Sequence, residues 1–188
     1  GGGGGDDEGM VTWTHQAKLM DIVGEAEDWF GNRVAIHGDT VVVGARGDDN
    51  DEENNGGGGV DSGSVYIYAR NSGGEEWTRE ARLVAPDGAA GDMFGNSVAV
   101  YGDTIVVGSR WDDDSGTDSG SAHVYVRRDD GKAGNSDGGW THQAKLLGPD
   151  GGEKGDYFGF SVGIYEGAIV VGSKSGDVNL FSDDYLLE

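Results

Sequence analysis

Short stretches in which apolar and polar side chains alternate run through the whole chain, with the two-residue period of a half-buried β-strand. Residues 13–19 alternate in this way, and the pattern returns at Trp140–Leu146 and, more loosely, at Trp77–Leu83. Polar loops with Pro-Asp-Gly turn signals follow the two later copies,. Helical periodicity is absent from the sequence. Each Trp-led stretch is therefore predicted to be a strand.

A second pattern begins at a Phe-Gly pair, and Phe30, Phe94 and Phe158 stand 64 residues apart. Each pair opens an apolar strand that runs into a turn short enough for a tight hairpin. The strand after this turn, at 41–43 in the first copy, is apolar on both faces, which predicts that both faces are covered,. A further strand, at 64–68 in the first copy, follows a loop.

Each unit therefore contains four short strands. Four-stranded units in tandem are typical of β-propeller blades. We predict an all-β fold, a β-propeller or partial propeller, built from three four-stranded antiparallel blades with a repeat of about 64 residues. Ala35, Ala99 and Gly163 keep one face of the Phe-Gly strand small, which indicates a place where strands approach closely,.

The predicted organisation is a Gly-rich acidic tail at 1–12, disordered, followed by blades over 13–188,. The units cover about 28–84, 92–147 and 156–181, and residues 13–19 form an outer strand. That strand could complete the last blade and close a ring between the two ends. Three blades are few for a ring, so we prefer an arc of a larger propeller, with further blades in a longer chain or supplied by oligomerisation.

Composition narrows the possible functions. The 188 residues contain 38 glycines and no cysteine, and the formal net charge is -22. Such acidity repels nucleic acid and anionic membrane surfaces and attracts cations. The lack of cysteine excludes disulfides, thiolate metal sites and a Cys nucleophile. Neither a signal peptide nor a run long enough to span a membrane as a helix is visible.

The Phe-Gly pair, the Val-Val-Gly-Ala or Val-Val-Gly-Ser strand end, the Gly-Ser-Val-Tyr-Ile-Tyr strand and the Trp strand resemble, in their order, the FG-GAP repeat of integrin α-subunit propellers. The resemblance covers about residues 13–181 in three copies. It implies a propeller in an extracellular or cell-surface protein. Many such repeats carry a calcium loop between the first two strands. Here that place holds only short turns, so the family's usual calcium site is not transferred.

Acidic loops are the main candidate chemistry. In an antiparallel meander the loops between strands 2 and 3 emerge on the same rim as the connections between units. Clustered carboxylates on that rim predict a binding surface that Ca²⁺ could organise, and a merely solvated, salt-adapted surface is the alternative. The candidate metal ligands are Asp48, Asp49, Asp51, Glu53, Asp112, Asp114 and Asp118. Asp28, Asp92 and Asp156, each two residues before Phe-Gly, are predicted to cap turns.

Partner-binding candidates lie in the same loops. Arg46-Gly47-Asp48 spells the tripeptide that integrins recognise in their ligands, although Gly-Asp also fits ordinary turn chemistry,. Trp29 and Trp111 lie on or beside the acidic loops and could anchor a partner or pack between blades,.

The residues favour no catalytic constellation, so a non-enzymatic binding or adhesion module for a protein or glycan partner is expected. The alternatives are a structural salt-adapted repeat protein and an accessory domain of a larger enzyme.

Overall fold

The computed structural model describes residues 11–20, 26–50, 58–74, 76–128, 138–149 and 152–182. Within these ranges the chain is all-β apart from one short 3-10 helix, Ala26–Asp28. The strands are β1 Phe30–His37, β2 Thr40–Ala45, β3 Ser64–Arg70, β4 Trp77–Leu83, β5 Ser97–Tyr101, β6 Thr104–Ser109, β7 Ser121–Arg127, β8 Trp140–Leu146, β9 Ser161–Tyr165, β10 Ala168–Gly172 and β11 Val178–Ser182. No helix in the described part of the chain is long and apolar enough to cross a membrane.

The strands form three antiparallel meanders, each in chain order. We call β1–β4 the first sheet, β5–β8 the second and β9–β11 the third. The predicted hairpins are present, since His37 pairs with Thr40 and Tyr101 with Thr104 across two-residue turns. Within the described residues the third sheet has three strands rather than the predicted four.

The sheets pack side by side through their innermost strands, β1 against β5 and β5 against β9. The second and third Phe-Gly phenylalanines fill the gaps between neighbouring sheets. Phe94 lies in one apolar cluster with Val42 and Val65 of the first sheet, and Phe158 lies in another with Val106 of the second. Both rings are almost fully buried. The strands that are apolar on both faces are covered on both faces where sheets flank them, as the sequence predicts.

The backbones of neighbouring sheets approach closely at the glycine that follows Val-Val. A Cβ atom built on Gly44 would overlap the carbonyl oxygen of Gly95, and one on Gly108 would overlap that of Gly159. The small residue predicted to mark this approach, Gly163, has no atom within 4 Å of such a Cβ. The prediction of a close approach at this third copy is therefore wrong, because the crowded backbone lies one strand away.

Residues 11–20 form no strand, although residues 13–19 carry the same seven amino acids as β8. The predicted outer strand is therefore absent. The copy at 140–146 pairs along its length with β7, whereas residues 13–19 pair with no strand among the described residues. A strand needs a hydrogen-bonding neighbour, so sequence pattern alone does not make one. Of the predicted tail, residues 1–10 lie outside the described residues.

Candidate functional site

The predicted rim exists as a set of loops bonded to one another. The loop after β2 meets the connection between the first two sheets through Met93 N, which donates to Asp61 O at 3.1 Å, and Phe94 N, which donates to Ser62 O at 2.9 Å. In the equivalent loop after β6, Asp118 O accepts a hydrogen bond from Tyr157 N at 3.1 Å. These bonds bring the acidic loops and the inter-sheet connections to one end of the sheets.

Asp48, the first candidate metal ligand, lies inside this rim with only 7% of its surface exposed. Its Oδ2 accepts hydrogen bonds from the Ser64 hydroxyl and from the Tyr66 hydroxyl, the latter at 2.8 Å. Its Oδ1 lies 3.0 Å from the guanidinium of Arg82, a residue of β4. Burial lowers the pKa of Arg82, but Asp48 and Tyr66 outweigh this effect and the net shift is upward. Asp48 is therefore the anion of an internal ion pair.

Asp112 occupies the same position in the second sheet. Ser121 Oγ donates to its Oδ2 at 2.6 Å, and Lys145 Nζ of β8 lies 2.7 Å from the same oxygen. Lys145 also reaches Asp87 at 2.9 Å and Asp114 at 2.6 Å. Burial alone would lower the pKa of Lys145, but the three carboxylates raise it above its ordinary value. The network of the first sheet is thus rebuilt with lysine in place of arginine.

These ion pairs determine whether the carboxylates of the rim are available to bind a calcium ion. A cation site needs several carboxylate oxygens that are free to converge, whereas those of Asp48 and Asp112 are bonded to protein donors. Asp49 Oδ1 accepts from Asp61 N at 2.8 Å, and the backbone N of Asp118 donates to Asp113 Oδ1 at 2.6 Å.

Asp51 and Glu53 lie outside the described residues. Among the residues that the structure describes, no three His, Cys, Asp or Glu side chains are grouped to hold a metal. The set Asp48, Asp112 and Asp114 does not fit calcium, and calcium binding by the remaining candidates stays a prediction.

The predicted turn caps are seen where their bonds are described. Asp92 Oδ2 accepts from Ala89 N at 2.8 Å, and Asp156 Oδ2 accepts from Glu153 N at 2.9 Å. Burial raises the pKa of Asp92 to about 6, with Asp112 and Asp114 adding to the shift and the bond from Ala89 opposing it.

The second sheet contains a buried row of hydrogen-bonded polar side chains that was not predicted from the sequence. Ser121 Oγ lies 3.2 Å from His123 Nε2, and His123 Nδ1 lies 3.2 Å from His142 Nε2. Burial lowers the pKa of His123 to about 4, and it also lowers the pKa of His142. Ser121 and His123 are fully buried, so a substrate has no access to them. The two histidines are 19 residues apart, and only the pairing of β7 with β8 reveals that they are neighbours.

The Arg-Gly-Asp tripeptide is folded inward. Asp48 is paired internally, and Gly47 is buried, with its N donating to Asp28 O at 3.1 Å. A Cβ on Gly47 would come within 2.8 Å of Trp29 Cδ1, so the glycine makes room for the indole. A receptor that reads the tripeptide as an exposed loop has no access to it in this fold.

Arg46, Trp29 and Trp111 form the accessible part of the candidate site. The Arg46 guanidinium lies 4.9 Å from the Trp29 ring centre, and Trp29 is 58% exposed. Arg110 stacks on Trp111 at 4.5 Å in the same way. These distances are typical of cation–π contacts.

The guanidiniums of these two stacks act on each other electrostatically, and neither forms an ion pair with a described carboxylate. Burial lowers the pKa of Arg110, and the positive charges of Arg46 and Arg33 lower it further, so the three guanidiniums lie near one another. The Nε atoms of Arg46 and Arg110 are buried and donate to no atom of the described chain. A cationic cluster on a chain of net charge -22 is unexpected from composition. Arg33 was not predicted to belong to this cluster, because only the pairing of β1 with β2 places it opposite Gly44.

The model of the FG-GAP repeat matches residues 13–68, 77–125 and 140–183. The chain belongs to the FG-GAP repeat family. Each matched FG-GAP segment begins at a Trp-led stretch and ends in or just beyond the strand that follows the acidic loop. The second and third FG-GAP repeats therefore start at the last strand of the preceding sheet, so neighbouring repeats share the first and second sheets.

No curated protein matches this FG-GAP chain. The solved structures that match include the crystal structure of the computationally designed Ika4 protein, at 11% identity and a TM-score of 0.36, with 89% of this chain and 99% of that chain covered.

Proposed function

We propose that the chain is an arc of a β-propeller that acts as a non-enzymatic binding module in an extracellular or cell-surface protein. The FG-GAP family and the three side-by-side sheets support the propeller, and the buried state of the Ser121 and His123 pair supports a role without catalysis. The contact surface is the patch made by Trp29, Arg46, Arg110 and Trp111, with Arg33 beside it. We call it the Arg–Trp patch.

One observation carries this proposal: Arg46 lies on Trp29 and Arg110 lies on Trp111 at one rim. Neither arginine has an ion-pair partner among the described residues. Three other arginines are paired with carboxylates: Arg70 with Asp39, Arg82 with Asp48 and Arg127 with Glu80. Clustered cations with unsatisfied donors favour an anionic ligand, and exposed aromatic rings add contact area at little entropic cost.

The surrounding acidic loops restrict the partner. Asp49 and Asp113 are exposed and lie in the loops that start beside the Arg–Trp patch. A polyanion such as nucleic acid would meet repulsion there. The ligand that fits carries a single carboxylate or sulfate amid neutral or basic groups. A protein side-chain carboxylate or an acidic sugar residue of a glycan provides such a group.

The test is binding to arrays of neutral, uronate-containing, sialylated and sulfated glycans and of peptides with one acidic residue, using the 188-residue chain. We expect retention on singly anionic probes and at least a tenfold loss of affinity in Arg46→Ala/Arg110→Ala. The matched control is Arg70→Ala, which removes an arginine that also stacks on a tryptophan, Trp77, but is paired with Asp39. Equal binding by both variants, or no preference for anionic probes, would contradict the proposal.

A further inference from the structure

The first and third sheets stand at the two ends of the row. Each exposes a face whose equivalent in the second sheet is buried. On the outer face of the first sheet, Val34 and Ile36 are 67% and 65% exposed. The residues in the same places on the second sheet are Val98 and Val100, and both belong to the apolar cluster between the first two sheets. The first sheet thus shows an apolar face that each later sheet packs against the sheet before it. We call it the head face.

The third sheet shows the opposite half of the same interface. Val178 and Leu180 of β11 are each 71% exposed, and Val170 beside them is 38% exposed. Their counterparts in the second sheet are Ala122, Val124 and Val106, of which none is more than 5% exposed. Ala122 and Val106 pack in the cluster that holds the third sheet. We call the exposed face of the third sheet the tail face.

Residues 11–20 are already held against the head face as if a preceding sheet were present. Tyr68 of the first sheet donates its hydroxyl to Met20 O at 2.9 Å. In the second sheet, Tyr125 donates to Val84 O at 2.6 Å, and Val84 directly follows β4. Leu19 packs on the head face as Leu146 packs in the equivalent cluster. The segment therefore stands where the last strand of a preceding sheet would stand, without the rest of that sheet.

The tail face lacks the strand that this segment would supply. β7 pairs with β8, whose seven residues are identical to 13–19, whereas β11 has no fourth strand beside it among the described residues. In the register of β7 and β8, Leu146 lies opposite Ala122 and Ala144 opposite Val124. Transferred to the third sheet, this register places Leu19 opposite Val178 and Ala17 opposite Leu180.

We propose that the head face of one copy, with its residues 11–20, docks on the tail face of a second copy and completes the third sheet as a four-stranded sheet. Main-chain hydrogen bonds along β11 and burial of the two apolar faces both stabilise this contact. The contact joins different surfaces head to tail, so it forms a closed ring where the rotation between copies permits it.

The occupant is a second copy rather than the chain's own segment. Residues 11–20 lie on the first sheet, and the second sheet stands between the first and the third, with β1 against β5 and β5 against β9. Two copies provide two heads and two tails, and both contacts form when six sheets close into one ring. The net charge of -22 on each copy opposes association, so salt is expected to strengthen it,.

The first test is the mass of the 188-residue chain in 0.15 M and 1 M NaCl, measured by light scattering from micromolar to submillimolar concentration. We expect at least a doubling of mass, lost in the head variant Ile36→Asp and in the tail variant Leu180→Asp. Both side chains are exposed in the single chain, so both variants should fold. An equimolar mixture of the two variants should regain association, because it still contains one intact head and one intact tail. Val60→Asp, which alters an equally exposed loop valine, is the matched control.

The second test identifies the occupant by disulfide trapping, which is clean because the chain has no cysteine. Ala17→Cys mixed with Leu180→Cys should give a disulfide-linked pair under mild oxidation, whereas either variant alone should not. A monomeric mass at every concentration would overturn the proposal. So would an intrachain disulfide in the double variant, because it would assign residues 13–19 to their own third sheet.

Discussion

The guanidinium of Arg82 lies 3.0 Å from the buried carboxylate of Asp48, across 34 residues of chain. This pair ties the last strand of the first sheet to the loop between its two central strands. Lys145 and Asp112 repeat the relationship at 2.7 Å in the second sheet. Residues that resemble metal ligands in the sequence therefore hold the sheets together through ion pairs.

Asp48→Ala should be among the most destabilising single changes in the chain. It leaves the half-buried Arg82 charge without its carboxylate and removes the acceptor of the Ser64 and Tyr66 hydroxyls. Breaking a buried pair on one side costs about 3 to 5 kcal/mol. Chemical denaturation measures this loss. Asp39→Ala, which breaks the exposed pair with Arg70, should cost less than about 1 kcal/mol,. Similar losses for the two variants would mean that the Asp48 pair is not a buried anchor.

Lys145→Met and Lys18→Met change the same position of two identical seven-residue stretches. Lys145 neutralises Asp112 and also binds Asp87 and Asp114, so its loss should lower the free energy of unfolding by about 3 kcal/mol or more,. Lys18 is exposed and should change it by less than about 0.5 kcal/mol,. The measurement is urea denaturation at low micromolar protein, where association is weakest. A large effect of Lys18→Met there would contradict the exposed position of residues 11–20.

Gly108→Ala should disrupt the contact between the second and third sheets. The added methyl group would overlap the carbonyl oxygen of Gly159 and approach Ser97, and backbone cannot move aside as a flexible side chain can. A loss of about 2 kcal/mol or more is expected in thermal or chemical unfolding. Gly163→Ala places the same methyl group where no atom lies within 4 Å and should be neutral or slightly stabilising,. Equal effects of the two changes would refute this placement of the close approach.

The dependence of stability on pH should show two opposing contributions, one from His123 in the second sheet and one from Asp92 in the connection that precedes it. The pKa of His123 falls from 6.5 to about 4 on folding, so between these values the unfolded chain binds a proton that the folded chain does not. Its contribution is complete above pH 6.5 and is lost as the pH falls toward 4,. His142 and the nearby Asp87, Asp112 and Lys145 surround this ring.

Asp92 acts in the other sense, because its pKa rises from 3.8 to about 6 on folding. Its contribution is complete below pH 3.8 and is lost as the pH rises through 6,. Asp92→Asn should therefore steepen the loss of stability between pH 6.5 and 4.5, and His123→Gln should flatten it. Denaturant unfolding at half-unit pH steps measures both slopes. Identical slopes in all three proteins would show that neither group titrates in this window.

The sequence was sufficient to predict the repeating strands, the two-residue hairpins and the turn caps. These features depend on residues close together in the chain: alternation of apolar side chains, Gly-Asp turns and an aspartate three residues after the amide that it caps. It was also sufficient to predict that the acidic loops lie on one rim, because the connectivity of a meander fixes the end of the sheet at which each loop emerges. It did not reveal that Asp48 has a cation 34 residues away, or that Arg33, Arg46 and Arg110 assemble on one surface.

The identical stretches at 13–19 and 140–146 separate the two kinds of information most clearly. Their seven residues are the same, so every local preference for a strand is the same. One copy is β8 because it pairs with β7, and the other is not a strand because it pairs with no strand among the described residues. The sequence determined where strands are possible, through side-chain periodicity and turns. Only the tertiary structure decided which of them form and which carboxylates are buried, because backbone pairing and charge compensation both require a partner that is distant in the chain or belongs to another copy.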